Sequence, residues 1–276
     1  MRIRDILSNE KRVPSLDLMS LVSHALGISK EGLFVSLDRG IDEGQVRQIE
    51  NLVEEREAGK PLAQIMKRKE FFSEQFIVDG NVLVPRPETE HLVEEALKLA
   101  ETRSGPLSVV DMGTGSGAIG IIMAKRTCCR VLCVDISAEA LRIAKENADL
   151  LCPDANVNFL CSNLFESVKV GKKFDIVLAN LPYIPTGEIE GLAADVKDFE
   201  PRVALDGGTD GLDVYRRFLA ALPERLERGG QVLCEIDGHL QSGRMERMLQ
   251  TVGLRAKTKR DLSGRERVIR GSWINS

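Results

Sequence analysis

The spacing of apolar residues changes along this chain. Before about residue 70, apolar positions recur every three or four residues, as they do along one face of a helix. This pattern predicts a small helical bundle over residues 1–70, in which Gly27 ends one helix and Asp42 caps another. Beyond residue 100, short apolar runs alternate with helical stretches. Such alternation predicts a doubly wound, mostly parallel sheet within a second domain over residues 85–276.

Between these regions, apolar and polar residues alternate in a way that predicts a β-hairpin linker over residues 71–84. The alternating positions flank Asp79-Gly80-Asn81, a sequence typical of a hairpin turn. In the second domain, helices are predicted over 116–126 and 138–150, and strands over 107–110, 130–134, 157–161, 174–179, 231–236, 254–260 and 267–274. The helical bundle shows no catalytic residues, so we expect it to recognise a substrate or cover a site.

Composition narrows the class of protein. The 276 residues are 43% apolar and 29% charged, which is ordinary for a globular protein, and the net charge of -4 disfavours general polyanion binding. Six cysteines without a Cys-x-x-Cys pair, and three histidines apart from them, predict a reduced compartment and no metal site. Residues 1–12 carry charges throughout, unlike a signal peptide, and no apolar run reaches membrane-spanning length. We therefore expect a cytoplasmic protein with no membrane partner.

A glycine-rich turn follows the first predicted strand of the second domain. It consists of Gly113, Thr114, Gly115, Ser116 and Gly117. Glycines permit a sharp turn and the close approach of a ligand, and Asp135, at the end of the next strand, is placed to accept the hydroxyls of a ribose. The spacing also fits a dinucleotide fingerprint or a turn required only for packing. Asp111 favours S-adenosylmethionine instead, because its charge would repel a pyrophosphate and attract an ammonium group.

The third strand ends in a further candidate contact. Asn163 would accept a hydrogen bond from an adenine amino group, and Leu164 would cover the ring. An asparagine in an ordinary turn explains the same residues equally well.

The segment Asn180-Leu181-Pro182-Tyr183 ends the apolar run 174–179 and suggests an acceptor site. An amide nitrogen is a poor nucleophile because its lone pair is delocalised. Hydrogen-bond acceptors on both of its N–H groups would orient it and favour a pyramidal form. The Asn180 side-chain oxygen and the Leu181 carbonyl are candidates for this role, Pro182 stiffens the turn, and Tyr183 would stack on a planar substrate. An ordinary Asn-x-Pro turn is the alternative.

These residues resemble the HemK/PrmC family, the protein-(glutamine-N5) methyltransferases that modify bacterial peptide chain release factors. The resemblance covers essentially the whole chain and includes VLVPRPETE (82–90), DMGTGSGAIG (111–120), VDIS (134–137), NLPYI (180–184), FEPRVALDGGTDGLDVYR (199–216), GGQVLCEI (229–236) and DLSGRERVIRG (261–271). It departs from the family at Leu181, where a proline is usual, and at Asn163, where an aspartate is frequent.

The resemblance implies a class I S-adenosylmethionine-dependent methyltransferase fold. It implies that residues 113–117 and Asp135 hold S-adenosylmethionine, which leaves as S-adenosylhomocysteine. The residues themselves add Asp111, Asn163, Leu164 and Asn180 to the expected cofactor contacts. Residues 180–183 would hold a glutamine side chain, with Asn180 as the catalytic residue. The implied substrate is the glutamine of a Gly-Gly-Gln motif in a release factor, and we expect a monomer that binds no nucleic acid directly.

Other functions are compatible with the same motifs. A methyltransferase acting on an exocyclic amine of a nucleic-acid base needs the same acceptor geometry. It is disfavoured because the chain is only 4% aromatic and lacks a large basic domain. An NAD(P)-dependent oxidoreductase and a cofactor-binding paralogue without catalysis are the remaining alternatives.

Overall fold

The computed structural model describes residues 1–261 and 263–274, the side chains of residues 239 and 240 excepted. Its helices are α1 (Ile3–Asn9), α2 (Ser15–Leu26), α3 (Lys30–Val35), α4 (Glu43–Glu57), α5 (Leu62–Met66), α6 (Glu90–Glu101), α7 (Ala118–Arg126), α8 (Ala138–Leu151), α9 (Ala194–Lys197), α10 (Asp213–Ala221) and α11 (Gly238–Thr251). Its strands are β1 (Arg68–Phe71), β2 (Glu74–Ile77), β3 (Ser108–Met112), β4 (Arg130–Asp135), β5 (Val157–Cys161), β6 (Phe174–Ala179), β7 (Leu226–Glu235), β8 (Leu254–Arg260) and β9 (Glu266–Trp273).

The chain divides into two compact units. One comprises Met1–Arg68 and Ala193–Phe199, and the other comprises Lys69–Leu192 and the described residues from Glu200 onward. The first unit contains the helical bundle, whose apolar side chains form a core of their own. The second contains the large sheet and the helices on its two faces.

The bundle confirms two predicted helix ends and adds helices that the apolar pattern did not reveal. Gly27 closes α2 with a φ of 63°, and the Asp42 carboxylate accepts a 2.8 Å hydrogen bond from the Gln45 amide at the start of α4. The short helix α3, capped by Ser29, was not predicted. Nor was α5, a short helix whose N-cap is Pro61.

The second unit confirms the doubly wound sheet. Seven strands lie in the order β5-β4-β3-β6-β7-β9-β8, parallel from β5 to β7 and antiparallel where β9 pairs with β7 and β8. The direction in which the chain adds strands reverses between β3 and β6. In open sheets this switch point leaves a crevice at the carboxyl ends of the strands, where ligands bind.

The predicted position of the hairpin turn was wrong. The strands β1 and β2 are joined by Phe72 and Ser73, both with positive φ, and Asp79-Gly80-Asn81 makes a separate turn outside them. Phe71 and Phe76 explain the difference, because their ring centroids lie 6.0 Å apart in the core, while the rest of both strands stays partly or fully exposed. The alternation over residues 78–84 arises from unpaired chain whose alternate side chains are buried, a pattern that mimics a strand.

Candidate functional site

A cavity of about 510 Å³ lies at the carboxyl ends of the central parallel strands. Its volume is typical of a site for a small molecule. Of the predicted site residues, it is lined by Gly113, Gly115, Asp135, Asn163, Leu164, Asn180, Leu181 and Pro182. Residues that follow four neighbouring strands in the sheet therefore meet in one place, as the parallel topology requires.

The turn after β3 is docked onto the end of β4 by backbone hydrogen bonds. The Gly113 and Thr114 amides both donate to the Val134 carbonyl, at 2.8 and 2.9 Å. The Asp135 carboxylate accepts from the Gly115 amide on one oxygen and from the Ser137 amide on the other, both at 2.9 Å. Burial raises the pKa of Asp135, and these amide bonds act against that rise. The carboxylate is thus fixed in orientation at the cavity wall.

Asp111 does not reach the cavity. Its side chain is completely buried, and its Oδ2 accepts from the Thr114 hydroxyl at 2.5 Å and from the Gly120 amide at 3.0 Å. Burial raises the pKa of Asp111 to about 6, although both hydrogen bonds lower it. The residue braces the turn from behind. It is not placed, as the sequence suggested, to meet a ligand ammonium group.

Three further residues of the predicted cofactor set are also absent from the cavity lining. Thr114 and Ser116 are buried, and Gly117 begins α7 in a left-handed conformation. Gly113, in contrast, lines the cavity with a φ of 72°, and a Cβ there would lie 3.0 Å from the Leu181 side chain. A glycine is required at this position because the two site segments approach each other closely.

Asn163 and Leu164 form the part of the lining that follows β5. The Asn163 amide nitrogen donates to the Glu166 carboxylate at 2.8 Å, so its carbonyl oxygen is the atom left for a ligand. Leu164 has a φ of 52°, an uncommon backbone conformation for leucine. Strain of this kind is concentrated at ligand sites, where surrounding structure holds it in place.

The Asn180 amide has a defined orientation. Its nitrogen donates to the Thr89 hydroxyl at 3.2 Å, its side-chain oxygen takes no part in that bond, and the residue lines the cavity. The next residue is held through its backbone. The Leu181 amide donates to the Tyr215 hydroxyl at 3.3 Å, and that hydroxyl donates to the Glu235 carbonyl at 2.7 Å. Tyr215 is fully buried and so ties the end of β6 to the end of β7.

The chain after Pro182 is fixed by a glycine-rich loop for which the sequence suggested no role. The Gly207 amide donates to the Ile184 carbonyl at 2.8 Å, and the Thr186 amide donates to the Gly208 carbonyl at 2.9 Å. Gly211, with a φ of 77°, packs against the Tyr183 carbonyl so closely that an added Cβ would collide with it. The loop therefore braces the segment that follows Asn180.

Tyr183 does not line the cavity. Its ring is half-buried against the core, and burial together with the charges of Glu235 and Asp237 raises the pKa of its hydroxyl. The Gln241 side chain donates to its carbonyl at 2.9 Å. The predicted stacking on a planar substrate is thus not evident in this arrangement.

One wall of the cavity was missed by sequence reasoning. Residues 201–204 line it. The ion pair of Arg86 with the buried Glu200, in which one guanidinium nitrogen lies 2.8 and 2.7 Å from the two carboxylate oxygens, anchors the chain where that wall begins. The partners are 114 positions apart, so no local pattern connects them. The only signal was that each lies in a segment, PRPETE or FEPR, that carried the family resemblance.

Two other properties concern the part of the chain that the structure describes. Across residues 1–261 and 263–274, no three His, Cys, Asp or Glu side chains gather as a metal-binding group. Over the same residues, no helix has the length and apolar character that crossing a membrane requires.

Comparisons with known proteins match both the helical bundle and part of the sheet region. Residues 3–66 match the PrmC N-terminal domain, and residues 104–206 match a methyltransferase domain. The release factor glutamine methyltransferase of Rhodopirellula baltica is 39% identical over 263 residues, which cover 93% of this chain and 88% of that protein. The enzyme of the same name from Geobacter sulfurreducens is 37% identical over 253 residues, covering 91% of this chain and 87% of that protein.

A solved structure supports the fold. The T. thermophilus 16S rRNA N2 G1207 methyltransferase, in complex with AdoMet and guanosine, superposes with a TM-score of 0.55 at 16% identity. The match covers 75% of this chain and 49% of that one. The predicted family and its S-adenosylmethionine-dependent methyltransferase fold are confirmed: this chain belongs to the release factor glutamine methyltransferase family.

Proposed function

We propose that this protein transfers the methyl group of S-adenosylmethionine to the side-chain amide nitrogen of the glutamine in the Gly-Gly-Gln motif of peptide chain release factors. Its family membership supports the reaction and the substrate. One observation carries the assignment of the site: the Asn180 amide nitrogen is occupied by Thr89, so its oxygen is available at a cavity that Gly115 and Asp135 also line.

The cavity fits S-adenosylmethionine in size and in chemistry. Asp135 offers a fixed carboxylate for ribose hydroxyls, the Asn163 oxygen suits an adenine amino group, and Leu164 offers an apolar surface for the ring. Gly113 and Gly115 keep the turn free of side chains. When bound, the cofactor supplies a methyl group on a positively charged sulfur, an excellent leaving group. Asp111, Thr114, Ser116 and Gly117 serve this site by shaping the turn.

The acceptor residues activate the glutamine by position. The Asn180 oxygen and the Leu181 carbonyl each accept one N–H of the carboxamide, which orients its nitrogen and favours a pyramidal lone pair. No strong base is needed, because the proton can leave after transfer. The rate gain comes from dipoles that are already in place before the substrate arrives. Pro182 limits the freedom of the turn, and Tyr183 supports it from the core.

The two departures from the family pattern are compatible with this chemistry. The proposed contact at Leu181 is made by its backbone carbonyl, and its side chain is buried against Gly113. Asn163 keeps an acceptor oxygen but lacks the charge of an aspartate. We therefore expect an effect on efficiency and none on the type of reaction.

We also propose a division of labour along the chain. Residues 1–70 would recognise the release factor, the hairpin region within 71–84 would link the domains, and residues 85–276 would carry out the transfer. The match of residues 3–66 to the PrmC N-terminal domain supports the first assignment. The enzyme would act as a cytoplasmic monomer on its protein substrate, without direct contact to nucleic acid.

A methylation assay tests the proposal. The purified protein is incubated with radiolabelled S-adenosylmethionine and either a bacterial release factor or DNA, and the labelled protein is digested for mass spectrometry. We expect one added methyl group on the Gly-Gly-Gln glutamine and no label on a release factor in which that glutamine is alanine. Label on DNA alone would contradict the proposal and favour a nucleic-acid amine as the acceptor.

A further inference from the structure

The reaction described above leaves a buried acidic residue without a role. Glu235 ends β7, beside the strand that carries Asn180, since Cys234 pairs with Ala179 in the parallel register. Glu235 is only 2% exposed, and its Oε2 has no hydrogen-bond partner among the described residues. A carboxyl group is rarely buried unless it is paired or used, because its ionised form loses the solvation of water.

Thr89 connects this carboxyl group to the acceptor site. The Thr89 hydroxyl accepts a hydrogen bond from the Asn180 amide nitrogen, so its own hydrogen is directed elsewhere. Hydrogen bonding by Thr89 lowers the pKa of the Glu235 carboxyl group, which ends the strand next to the one that leads to Asn180. An ionised carboxylate only accepts hydrogen bonds. A hydrogen bond between Thr89 and the ionised Glu235 would therefore run from the hydroxyl to the carboxylate, giving a chain from Asn180 to Thr89 to Glu235.

We propose that Glu235 is a positioning residue that acts through the Thr89 hydroxyl to keep the Asn180 side-chain oxygen facing the substrate. The inference rests on the proposed function, in which that oxygen accepts an N–H of the glutamine. When Glu235 is ionised, the Thr89 hydroxyl donates to the Glu235 carboxylate and accepts from the Asn180 nitrogen. When that carboxylate is absent, the Thr89 hydroxyl is free to donate to the Asn180 side-chain oxygen. The flipped amide would then present its own N–H groups to the N–H groups of the substrate.

The surroundings of Glu235 make this arrangement sensitive to pH. Burial raises the pKa of Glu235 to about 7, with Glu88 adding to the rise, while Thr89, Arg267 and Tyr183 lower it. Asp237 is the other acidic group near Tyr183. Because only the ionised form enforces the direction of the chain, kcat should rise with pH through about 7. Replacing Glu235 with glutamine should abolish that dependence.

Kinetics of four variants test the proposal. Thr89→Val removes the hydroxyl, Thr89→Ser retains it, and Glu235→Gln removes the charge. Thr102→Val is the matched control, because its hydroxyl bonds only the Leu99 carbonyl among the described residues, at the far end of α6. We expect Thr89→Val to lower kcat about 10- to 100-fold and Glu235→Gln about tenfold at pH 8. These losses are smaller than the roughly 100- to 1,000-fold loss when a preorganised contact is removed outright, because Asn180 itself remains. The KM for the release factor and the affinity for S-adenosylhomocysteine should change less than about twofold, and Thr89→Ser and Thr102→Val should resemble the parent.

A readout without substrate separates this inference from the proposed function. The side-chain amide signal of Asn180 in a ¹⁵N NMR spectrum is assigned by its loss in Asn180→Asp. We expect it to titrate near pH 7 in the parent and to be insensitive to pH in Thr89→Val and Glu235→Gln. The role of Glu235 would be contradicted if the Asn180 signal titrated near pH 7 in both variants, as in the parent. It would also be contradicted if the parent were active and Thr89→Val had the same kcat. An Asn180 signal that behaves as expected in a protein inactive on release factors would support the positioning network and count against the proposed substrate.

Discussion

The two sides of the cavity are built in different ways. The cofactor side is held together locally: the turn after β3 bonds to Val134 and Asp135, both within about one strand and helix of it. The acceptor side is held from a distance. Asn180 depends on Thr89, 91 positions away, Leu181 on Tyr215, 34 positions away, and Tyr183 on Gln241, 58 positions away. Substitutions far from the reacting atoms should therefore impair methyl transfer more readily than cofactor binding.

The largest effect should come from Asn180→Ala. We expect kcat to fall at least about 100-fold, because a preorganised contact to the substrate amide is lost. The dissociation constant for S-adenosylhomocysteine, measured by calorimetry, should stay within about threefold of the parent. Turnover equal to that of the parent would show that the acceptor side has been assigned to the wrong residues.

Asp135→Ala tests the opposite side. The carboxylate is expected to hold the ribose, so its loss should weaken S-adenosylhomocysteine binding about 10- to 100-fold, as expected for hydrogen bonds to a charged group. At saturating cofactor, kcat should recover most of the parent value. A variant that binds the cofactor normally but has lost turnover would reverse the roles given to the two sides.

Gly211→Ala probes the support of the acceptor side from outside the cavity. The new Cβ would collide with the Tyr183 carbonyl, and the residue would be strained at its positive φ. We expect a loss of about 1–3 kcal/mol in the free energy of unfolding and a lower kcat, with cofactor affinity nearly unchanged. Gly187→Ala is the matched control, since a Cβ there meets nothing within 4 Å. Equal melting temperatures and rates for the two variants would contradict this bracing role.

The smallest effect is expected in the helical bundle. Substitutions there should change stability alone, so they serve as a reference for variants on the two sides of the cavity. Asp42→Ala removes the N-cap of α4 and should lower the free energy of unfolding by about 1 kcal/mol without changing cofactor affinity. Asp38→Ala is the control, because that carboxylate is 64% exposed and its ion pairs with Arg2 and Arg4 should contribute little. Denaturant titration compares the two, and a change in cofactor affinity in either would contradict the assignment of this region.

The same contrast explains what the sequence revealed. The bounds of β5, β6 and β8 follow from apolar or polar runs and agree with the structure, and the predicted Asp42 cap of α4 is confirmed by a 2.8 Å bond from the Gln45 amide. These features depend on residues close together in the chain. The cavity residues Gly113, Asp135 and Asn180 were found because each stands where a strand ends, and parallel topology then gathers them.

The remaining features depend on partners that a local pattern does not connect. The bracing of Asn180 by Thr89, the ion pair of Arg86 with Glu200 and the fit of Gly211 against Tyr183 appear only when distant segments are brought together. For Asp111, the local sequence pattern suggested a role that the structure does not support. Its position before the glycines suggested a ligand contact, but complete burial assigns it to the turn itself. The position of the hairpin turn was predicted wrongly for a related reason. In residues 78–84, alternate side chains of an extended, unpaired segment are buried, which gives the same pattern as a strand.

The most direct test is a crystal structure of the protein with S-adenosylhomocysteine and a release factor. We predict the Gly-Gly-Gln carboxamide nitrogen at about 2.7–3.2 Å from both the Asn180 side-chain oxygen and the Leu181 carbonyl oxygen, facing the sulfur. A complex in which the Asn180 oxygen points into the protein, or in which the glutamine lies away from the sulfur, would contradict the account.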